Sequence, residues 1–398
     1  MRPFDGRRVL LVVSGGIAAY KSVYLLRLLR EAGASVDVLM TEAAEQMVGH
    51  VTFEALAGRP VQRSLWTRPL AHIELGRDCD LVVVAPATAD ILAKLAHGLA
   101  DDLASSTLLA AAAPVLAAPA MNTRMWEHPA TQANVATLRA AGVDLVGPEA
   151  GLLAEGETGL GRMAEPETIV AHVGRWLEDD SVLAGRKVVV TAGPTRAPID
   201  PVRYVGNRSS GRMGYALAAS AWRRGAEVVL ISGPVSVAPP VGPRLVEVER
   251  AEEMLGALRA EIEDAAVLAM VAAVADFRAA EEHGNKIKRT EGGLDVRLEP
   301  GPDLLAETRE ARRTGGVFTL GFALETRDGV DSARRKLTEK GLDMIALNFA
   351  GEPDSGFDAP TSRLTLIESD DDAVEELPLL HKADAADRLL DRIEERLA

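Results

Sequence analysis

The sequence of 398 residues contains a single cysteine, Cys79. One cysteine excludes an intramolecular disulfide framework and is typical of a protein of the reducing cytoplasm. Positive charge is also scarce, because 44 Lys and Arg face 59 Asp and Glu and the formal net charge is −15. This balance argues against a general nucleic-acid-binding protein, which needs clustered lysine and arginine against the phosphates.

Long apolar runs are missing as well. The alanine-rich stretch Leu108–Ala120 is too short to span a bilayer and is interrupted by Pro114. The first residues run into a strand without the layout of a signal peptide. We therefore expect a cytoplasmic protein that binds neither membrane nor nucleic acid. Hydrophobic residues make up 47% of the chain, which is enough for ordinary globular cores. Because 398 residues exceed the size at which one hydrophobic core keeps growing, we expect two domains.

One local pattern occurs twice along the chain. The apolar run Val9–Val13 leads into Ser14-Gly15-Gly16, and Val188–Val190 leads into a turn that contains Gly193. Each turn is followed by a helical stretch and a second apolar strand. Two copies of strand, glycine turn, helix and strand predict two parallel-sheet domains.

Further apolar strands alternate with helical stretches in both halves. Near-continuous apolar strands indicate sheets that are covered on both faces. The predicted fold class is therefore α/β, with two doubly wound, Rossmann- or flavodoxin-like parallel-sheet domains in tandem. We place them at residues 1–184 and 185–398, after the polar, charged segment 176–181, and expect Leu364–Ile367 to add an edge strand.

The turns of the first half predict a phosphate site. Ser14-Gly15-Gly16-Ile17 opens a helix, and small residues there let a phosphate approach backbone N–H groups at the positive helix end. The turn lacks the dinucleotide fingerprint, so a mononucleotide is favoured over NAD. Thr41 and the turn that contains Ala87 and Thr88 end two further strands at the same edge of the sheet, where doubly wound folds bind ligands.

His72, before the third strand, and Asn122, after the turn at 119–121, are the candidate catalytic residues of this half. A lone histidine in such a place is usually a surface residue, but the surrounding motifs favour a function. SGGIAAYK (14–21), APATAD (85–90), ADDLAS (100–105) and above all PAMNTRMW (119–126) resemble the flavin-dependent cysteine decarboxylases, over nearly all of residues 1–175. The resemblance implies FMN at the strand ends, His72 as acid/base and Asn122 on the substrate carboxylate. It further implies that the flavin oxidises the substrate's cysteinyl thiol to a thioaldehyde, which serves as the electron sink when CO₂ leaves.

The segment 151–163 resembles the substrate-recognition flap of those enzymes but departs from it at one position. Family members typically carry a cysteine there as proton donor, and the matching residue in this chain is Glu155. A carboxylic acid can donate a proton but cannot reproduce thiol redox chemistry. Glu155 is therefore either a proton donor or a solvated charge of the flap, and the sequence leaves both open.

The second half has a long polar loop after its first strand, which indicates a functional segment. The string DPVRYVGNRSSGRMG (200–214), together with AAVADF (272–277) and KIKR (286–289), closely resembles phosphopantothenate–cysteine ligases from about Gly185 to Asp384. The resemblance implies that CTP, with Mg²⁺ held by unknown ligands, activates the carboxylate of 4′-phosphopantothenate as an acyl-cytidylate, and that the cysteine amine then displaces CMP. By motif, Asn207 contacts the acyl intermediate and Lys286 steadies it. The nucleotide is implied to lie among Met270, Val271, Ala272, Asp276, Pro302, Asp303, Leu304, Leu305, Phe322, Lys336 and Lys340.

The two resemblances together predict a bifunctional enzyme that makes 4′-phosphopantetheine. They also imply a homo-oligomer of decarboxylase trimers and ligase dimers. Three alternatives remain: a ligase whose first half is only an oligomerisation or interaction module, a non-catalytic interaction protein, and a flavin oxidoreductase with another substrate. His72 and Asn122 argue against the interaction protein, and the fused ligase argues against the oxidoreductase.

Overall fold

The structure is a computed structural model that describes residues 3–178, 180–289, 293–325, 329–349, 359–369 and 373–398. The chain divides into two compact units, residues 1–179 and 180–398. The functional domain boundary inferred after Ala184 stays a prediction. Among the described residues, no helix combines the length and the apolar character that a membrane span requires.

The first unit contains seven strands and nine helices within its described residues. The strands are β1 (Arg8–Val13), β2 (Ser35–Met40), β3 (Leu81–Ala87), β4 (Val115–Pro119), β5 (Asp144–Leu145), β6 (Glu149–Leu152) and β7 (Thr158–Arg162). The helices are α1 (Ala19–Glu31), α2 (Glu42–Glu45), α3 (His50–Ala57), α4 (Ala71–Arg77), α5 (Ala89–His97), α6 (Leu103–Ala110), α7 (Thr123–Glu127), α8 (Pro129–Ala140) and α9 (Pro166–Leu177).

Five parallel strands form the sheet of this unit, in the order β2-β1-β3-β4-β5. One core packs α1, α3 and α9 on one face, and a second packs α4, α5, α6 and α8 on the other. This is the flavodoxin-like order. The order in which the chain adds strands to the sheet reverses between β1 and β3, and a ligand crevice opens at the carboxyl ends of these two strands. β6 and β7 form a separate antiparallel hairpin, the flap.

The second unit contains fourteen strands and six helices within its described residues. The strands are β8 (Lys187–Ala192), β9 (Arg196–Pro198), β10 (Tyr204–Gly206), β11 (Glu227–Ser232), β12 (Arg244–Glu247), β13 (Val267–Met270), β14 (Phe277–Ala279), β15 (Leu298–Pro300), β16 (Phe318–Glu325), β17 (Met344–Phe349), β18 (Thr361–Ser362), β19 (Thr365–Glu368), β20 (Val374–Glu376) and β21 (Leu380–His381). The helices are α10 (Arg212–Arg223), α11 (Ala251–Glu261), α12 (Leu304–Glu307), α13 (Arg309–Gly315), α14 (Gly329–Lys340) and α15 (Lys382–Leu397).

Eight strands form the main sheet of this unit, in the order β12-β11-β8-β13-β16-β17-β19-β20. The first six are parallel, and β19 and β20 extend the sheet antiparallel. The parallel part has the Rossmann order 3-2-1-4-5-6, so the order in which the chain adds strands to the sheet reverses between β8 and β13. The predicted fold class is confirmed for both units.

Two local expectations differ from the structure. The predicted edge strand at 364–367 corresponds to β19, but β20 pairs with it and forms the edge. The segment Val374-Glu375-Glu376 carries two charges, so its composition gives no strand signal. The predicted linker 176–181 begins within α9, which ends at Leu177, and its Asp179 lies outside the described residues.

A buried ion-pair network holds the last helix against α10. The Arg224 side chain lies at the end of α10 and is 6% exposed. It bonds Asp391 at 2.7 Å and Glu394 at 2.6 Å, both on α15. Arg223 binds Asp387 of the same helix at 2.5 Å. Because α10 begins at the loop that follows β8, this network fixes the helix that faces the crevice of the second unit.

Candidate active sites

The first unit has a cavity of about 1100 Å³ at the carboxyl ends of its strands. It opens at the carboxyl ends of the neighbouring strands β1 and β3, where the strand order of the sheet reverses. The flap, the turn after β4 and the segment around Trp66 complete its walls. The predicted residues that line it are Ser14, Gly15, Gly16, Ile17, Thr41, Thr88, Asn122 and Glu155.

Ser14 and Thr88 join the two turns at the point of reversal. Ser14 Oγ donates to the carbonyl of Pro86 at 2.7 Å and accepts the backbone N–H of Thr88 at 3.2 Å. Beside them α1 begins after Ala18 without a side-chain cap. The first N–H groups of a helix need acceptors, so this end suits an anionic oxygen.

The flap is fixed to the turn that carries Asn122. The Met121 N–H donates to the carbonyl of Gly161 at 3.0 Å. A Cβ at Gly161 would lie 2.1 Å from the carbonyl oxygen of Met121, so only glycine permits this approach. Across the cavity, Asn122 Nδ2 donates to Oε1 of Glu155. The structure therefore brings together the two predicted residues of the turn and the flap.

Two lysines of the cavity wall were not predicted from the sequence. Lys21 is 8% exposed and donates from Nζ to the carbonyl of Met163 and to Glu165, both at 3.1 Å. It thus ties α1 to the end of the flap. Lys94 donates to Asp101 and Asp102 at about 3 Å, and the hydrogen bond to Asp101 raises the pKa of Lys94.

Two predicted residues of the first unit do not line the cavity. Ala87 is fully buried in β3. His72 is half-buried on α4, six residues after the cavity residue Trp66. Cys79 follows α4, and burial, reinforced by Asp80, raises the pKa of its thiol to about 11. This thiol does not line the cavity and cannot replace the missing cysteine of the flap.

The second unit has a cavity of about 890 Å³ at the carboxyl ends of β8, β13, β16 and β17. It again opens at the point of chain reversal. The predicted residues that line it are Asn207, Met270, Val271, Ala272, Asp276, Pro302, Asp303, Leu304, Leu305, Phe322, Lys336 and Lys340.

The loops after β8 and β13 are held together by hydroxyl and amide side chains. Thr191 Oγ1 accepts the N–H groups of Val271 and Ala272 at 3.1 and 3.2 Å. Asn207 Nδ2 donates to the carbonyl of Val274 at 2.7 Å. α10 begins after Gly211, whose φ is +74°, and lacks a side-chain cap, so its N-terminus is also suited to a phosphate.

The opposite wall of this cavity holds two ion pairs. Lys336 bonds Glu325 at 2.7 Å, and this hydrogen bond lowers the pKa of Glu325. Lys340 bonds Asp303. Burial disfavours the ionised form of Asp303, but the hydrogen bonds from Lys340 and the backbone N–H of Ala306, with the positive charge of Lys340, together outweigh it and lower the pKa of that carboxyl. An incoming polyphosphate can exchange these carboxylates for its own oxygens.

Lys286 does not line this cavity, although Asn207 does. Its side chain is exposed in the segment after β14. Three polar residues that the sequence analysis missed line the cavity instead: Asn348, Ser362 and the nearly buried Lys382. They come from β17, β18 and α15, and their separation along the chain explains why no local motif revealed them.

Within the part of the chain that the structure describes, no group of three or more His, Cys, Asp or Glu side chains is arranged to hold a metal ion. The ligands of Mg²⁺ therefore stay unassigned.

Comparison with known proteins matches both units. A flavoprotein family model matches residues 2–178, and the model described as DNA/pantothenate metabolism flavoprotein C-terminal domain matches residues 183–397. The coenzyme A biosynthesis bifunctional protein CoaBC of Vibrio vulnificus (strain CMCP6) is 42% identical over 99% of this chain and 99% of its own. The CoaBC protein of Escherichia coli (strain K12) is 43% identical, over 98% and 97% of the two chains. That of Mycobacterium bovis (strain ATCC BAA-935 / AF2122/97) is 47% identical, over 87% of each.

The chain belongs to the CoaBC family. The predicted bifunctional enzyme of coenzyme A biosynthesis, a ligase fused to a flavoprotein decarboxylase, is confirmed at the level of the family. The reading as a ligase with a non-catalytic first half is not favoured. The flavoprotein family model covers the cavity that contains Asn122 and Glu155. The C-terminal domain model covers the cavity that contains Asn207.

Proposed function

We propose that this chain ligates cysteine to 4′-phosphopantothenate with CTP and Mg²⁺, and then decarboxylates the product to 4′-phosphopantetheine with FMN. Residues 185–398 perform the ligation and residues 1–184 the decarboxylation. The observation that carries the proposal is the repeated architecture of the two cavities. Each lies at the reversal point of a doubly wound sheet and faces a helix start without a side-chain cap, at Ala18 and at Gly211.

The first cavity fits FMN. The uncapped start of α1 receives the phosphate beside the turn Ser14–Ile17, and Thr41 and Thr88 offer hydroxyls at neighbouring strand ends. A Cβ at Gly15 would lie 2.3 Å from the Cβ of Ala43, so the turn can keep this shape only with glycine there. FMN, when bound, supplies the electron acceptor for the substrate thiol.

The protein supplies orientation and proton transfer in this cavity. The Asn122 amide can donate to a substrate carboxylate, which would exchange for its present acceptor on Glu155. Glu155 then lies next to the reacting group and can deliver a proton as general acid. His72 is the second acid/base candidate. Its place is on α4, outside the lining of the cavity, so its proposed role rests on the motif resemblance.

The second cavity fits a nucleoside triphosphate. Its uncapped helix start at Gly211 and the lysines at 336 and 340 can bind phosphate oxygens, while Met270–Ala272 and Pro302–Leu305 supply apolar surface for base and ribose. A carboxylate is a poor electrophile, so attack of the substrate carboxylate on the α-phosphate, with loss of pyrophosphate, creates a leaving group. The cysteine amine then attacks the acyl carbon and CMP departs. Asn207 and Lys286 are the residues proposed to hold the acyl-nucleotide.

We further infer a cytoplasmic homo-oligomer, with decarboxylase trimers and ligase dimers. Tyr24 and Trp66 on the first unit are 58% and 92% exposed, and they are large apolar surfaces that an assembly would bury. Sedimentation velocity of the intact chain tests the assembly. A monomer at micromolar concentration would contradict it.

The test of the proposed function uses the purified chain with 4′-phosphopantothenate, cysteine, CTP and Mg²⁺. We expect flavin absorbance, consumption of CTP to CMP, release of CO₂, and a product with the mass of 4′-phosphopantetheine. Accumulation of 4′-phosphopantothenoylcysteine without CO₂ would establish a ligase-only enzyme. Turnover with ATP but not with CTP would overturn the choice of nucleotide.

A further inference from the structure

Asp200 lies at the tip of the β9–β10 hairpin and is buried, with a side chain that is 0% exposed. It accepts the backbone N–H groups of Val202 and Arg203 at 2.8 and 2.9 Å, and Nη1 of Arg203 at 2.5 Å. These bonds alone would describe a turn. A fourth bond reaches a distant segment, because Oδ2 of Asp200 also accepts the N–H of Ile287 at 3.1 Å.

The pair Asp200–Arg203 grips Ile287 by both of its backbone groups. Asp200 accepts its N–H, and Nη1 of Arg203 donates to its carbonyl at 3.1 Å. A further backbone bond, from the N–H of His283 to the carbonyl of Ile199 at 2.9 Å, joins the same two segments. Ile287 lies outside the named strands. The side chains of Asp200 and Arg203 thus supply the hydrogen bonds that a neighbouring strand would make to its N–H and carbonyl groups.

The gripped residue is the centre of the basic segment Lys286-Ile287-Lys288-Arg289. The three cations of this segment are exposed, and none of them lines the cavity of the second unit. Long lysine side chains on a free loop would sample many positions. Fixing both backbone groups of Ile287 restricts where the ammonium groups on either side of it can reach.

The hairpin that carries Asp200 also ends at Asn207. β10 finishes at Gly206, and the next residue bonds Val274 at 2.7 Å on the wall of the cavity. One short hairpin therefore determines the places of Asn207 and of the segment around Lys286. These are the two residues proposed to hold the acyl-nucleotide.

We propose that Asp200 is a positioning residue of the ligase reaction, which through Arg203 and the backbone of Ile287 holds the basic segment 286–289 in register with Asn207. The inference rests on the proposed ligase function and deepens it. Asp200 itself contacts no substrate. Its loss disorders the cations that act on the acyl-nucleotide, while the apolar and lysine walls of the nucleotide cavity stay in place. The effect therefore falls on turnover rather than on the apparent affinity for CTP.

The experiment compares Asp200→Asn with Asp264→Asn in the intact chain. Asp264 is a mostly exposed partner of Lys187 in the same unit, so its variant makes the same chemical change away from the hairpin. We expect Asp200→Asn to lower the ligase kcat at least about tenfold, since hydrogen bonds to a buried charge are lost, with KM for CTP within about twofold. Asp264→Asn should match the wild type. The decarboxylase activity of each variant, measured on supplied 4′-phosphopantothenoylcysteine, should not change.

Trypsin supplies a structural readout at the same segment. Cleavage after Lys286 or Lys288 requires the backbone at Ile287 to leave its clamp. We expect Asp200→Asn to be cut there at least about tenfold faster than the wild type, with unchanged rates at other sites. Lower ligase activity with unchanged cleavage at these positions would overturn the positioning role, as would unchanged ligase activity.

A second pair of variants applies if Asp200→Asn fails to fold. Ile287→Pro removes the N–H that Asp200 accepts and also fixes the backbone φ of that residue, and Ile287→Ala, which keeps both backbone groups, is its reference for the loss of the side chain. A ligase kcat for Ile287→Pro at least about tenfold below that of Ile287→Ala supports the clamp; equal values overturn it. If the wild-type chain itself ligates no cysteine while it decarboxylates, the proposed ligase function fails instead, and the cleavage pattern still reports on the clamp.

Discussion

Asn122 and Glu155, 33 residues apart, are joined by a hydrogen bond from Nδ2 of the amide to Oε1 of the carboxylate. The bond connects the turn after β4 to the flap, and the two residues share the cavity of the first unit. A carboxylate in this place stands where the decarboxylases that the sequence resembles have a thiol. Its role therefore decides how the first unit completes its reaction.

Replacement of Glu155 tests that role directly. Glu155→Gln keeps an oxygen that can accept from Asn122 but removes the proton donor. We expect the decarboxylation rate to fall about a hundredfold, the usual scale of general-acid catalysis, with the ligase rate unchanged. CO₂ release and product mass are the measurements. Glu157→Gln, on the same hairpin but outside the lining of the cavity, is the control. Undiminished turnover would reduce Glu155 to a hydrogen-bond partner of Asn122.

His72 is tested by removal of its acid/base function. His72→Asn should lower the decarboxylation rate by about a hundredfold or more and leave the ligation rate unchanged, so that 4′-phosphopantothenoylcysteine accumulates. His97→Asn, an exposed histidine at the end of α5, is the matched control. Because His72 lies outside the lining of the cavity, this variant is also the sharpest test of the resemblance. Normal CO₂ release from it would show that the assignment is wrong.

Cys79 should take no part in catalysis. Burial raises the pKa of its thiol from 9.0 to about 11, so the thiol is neutral at pH 7 to 8. We expect iodoacetamide at pH 8 to label the folded chain at least about tenfold more slowly than the urea-unfolded chain, and Cys79→Ser to decarboxylate normally. The raised pKa also sets a direction. Any stability that depends on the neutral thiol is complete below pH 9 and is lost as the pH rises through about 11. Rapid labelling of the native chain would contradict the burial.

Asn207→Asp should block the ligase. The substitution places a carboxylate oxygen where an amide now donates to the carbonyl of Val274, and it adds negative charge beside the proposed phosphate site. We expect at least about a hundredfold loss of CMP formation, because two acceptors face each other and the acyl-nucleotide is repelled. Decarboxylation of supplied 4′-phosphopantothenoylcysteine by the same sample is the internal control. Substantial ligation by this variant would remove Asn207 from the proposed site.

The sequence predicted those parts of the sites that depend on local order. Ser14–Ile17 and Thr88 follow apolar strands, and parallel strands end at one edge, so their convergence could be anticipated. The strand orders of the two sheets could not be anticipated in this way, because the composition of an apolar strand does not indicate which strands pair with it. β20 escaped detection for a different reason, because its two glutamates give no strand signal.

The missed residues depend on contacts between distant parts of the chain. Lys21 is buried against Met163 and Glu165, and both of these partners lie more than 140 residues away along the sequence. Nothing near it in the sequence separates it from an exposed helix lysine. The bond of Asp200 to the Ile287 N–H spans 87 residues in the same way. The motif could be recognised, but its partner could not be named.

The buried guanidinium of Arg224 has a genetic consequence. Its partners Asp391 and Glu394 lie on the final helix, and each unit has cores of its own. Loss of one side of a buried ion pair is strongly destabilising, yet the damage here would begin in the second unit. A missense allele at this arginine should therefore be conditional. We expect such a variant to lose the ligation step at a lower temperature than the wild type does.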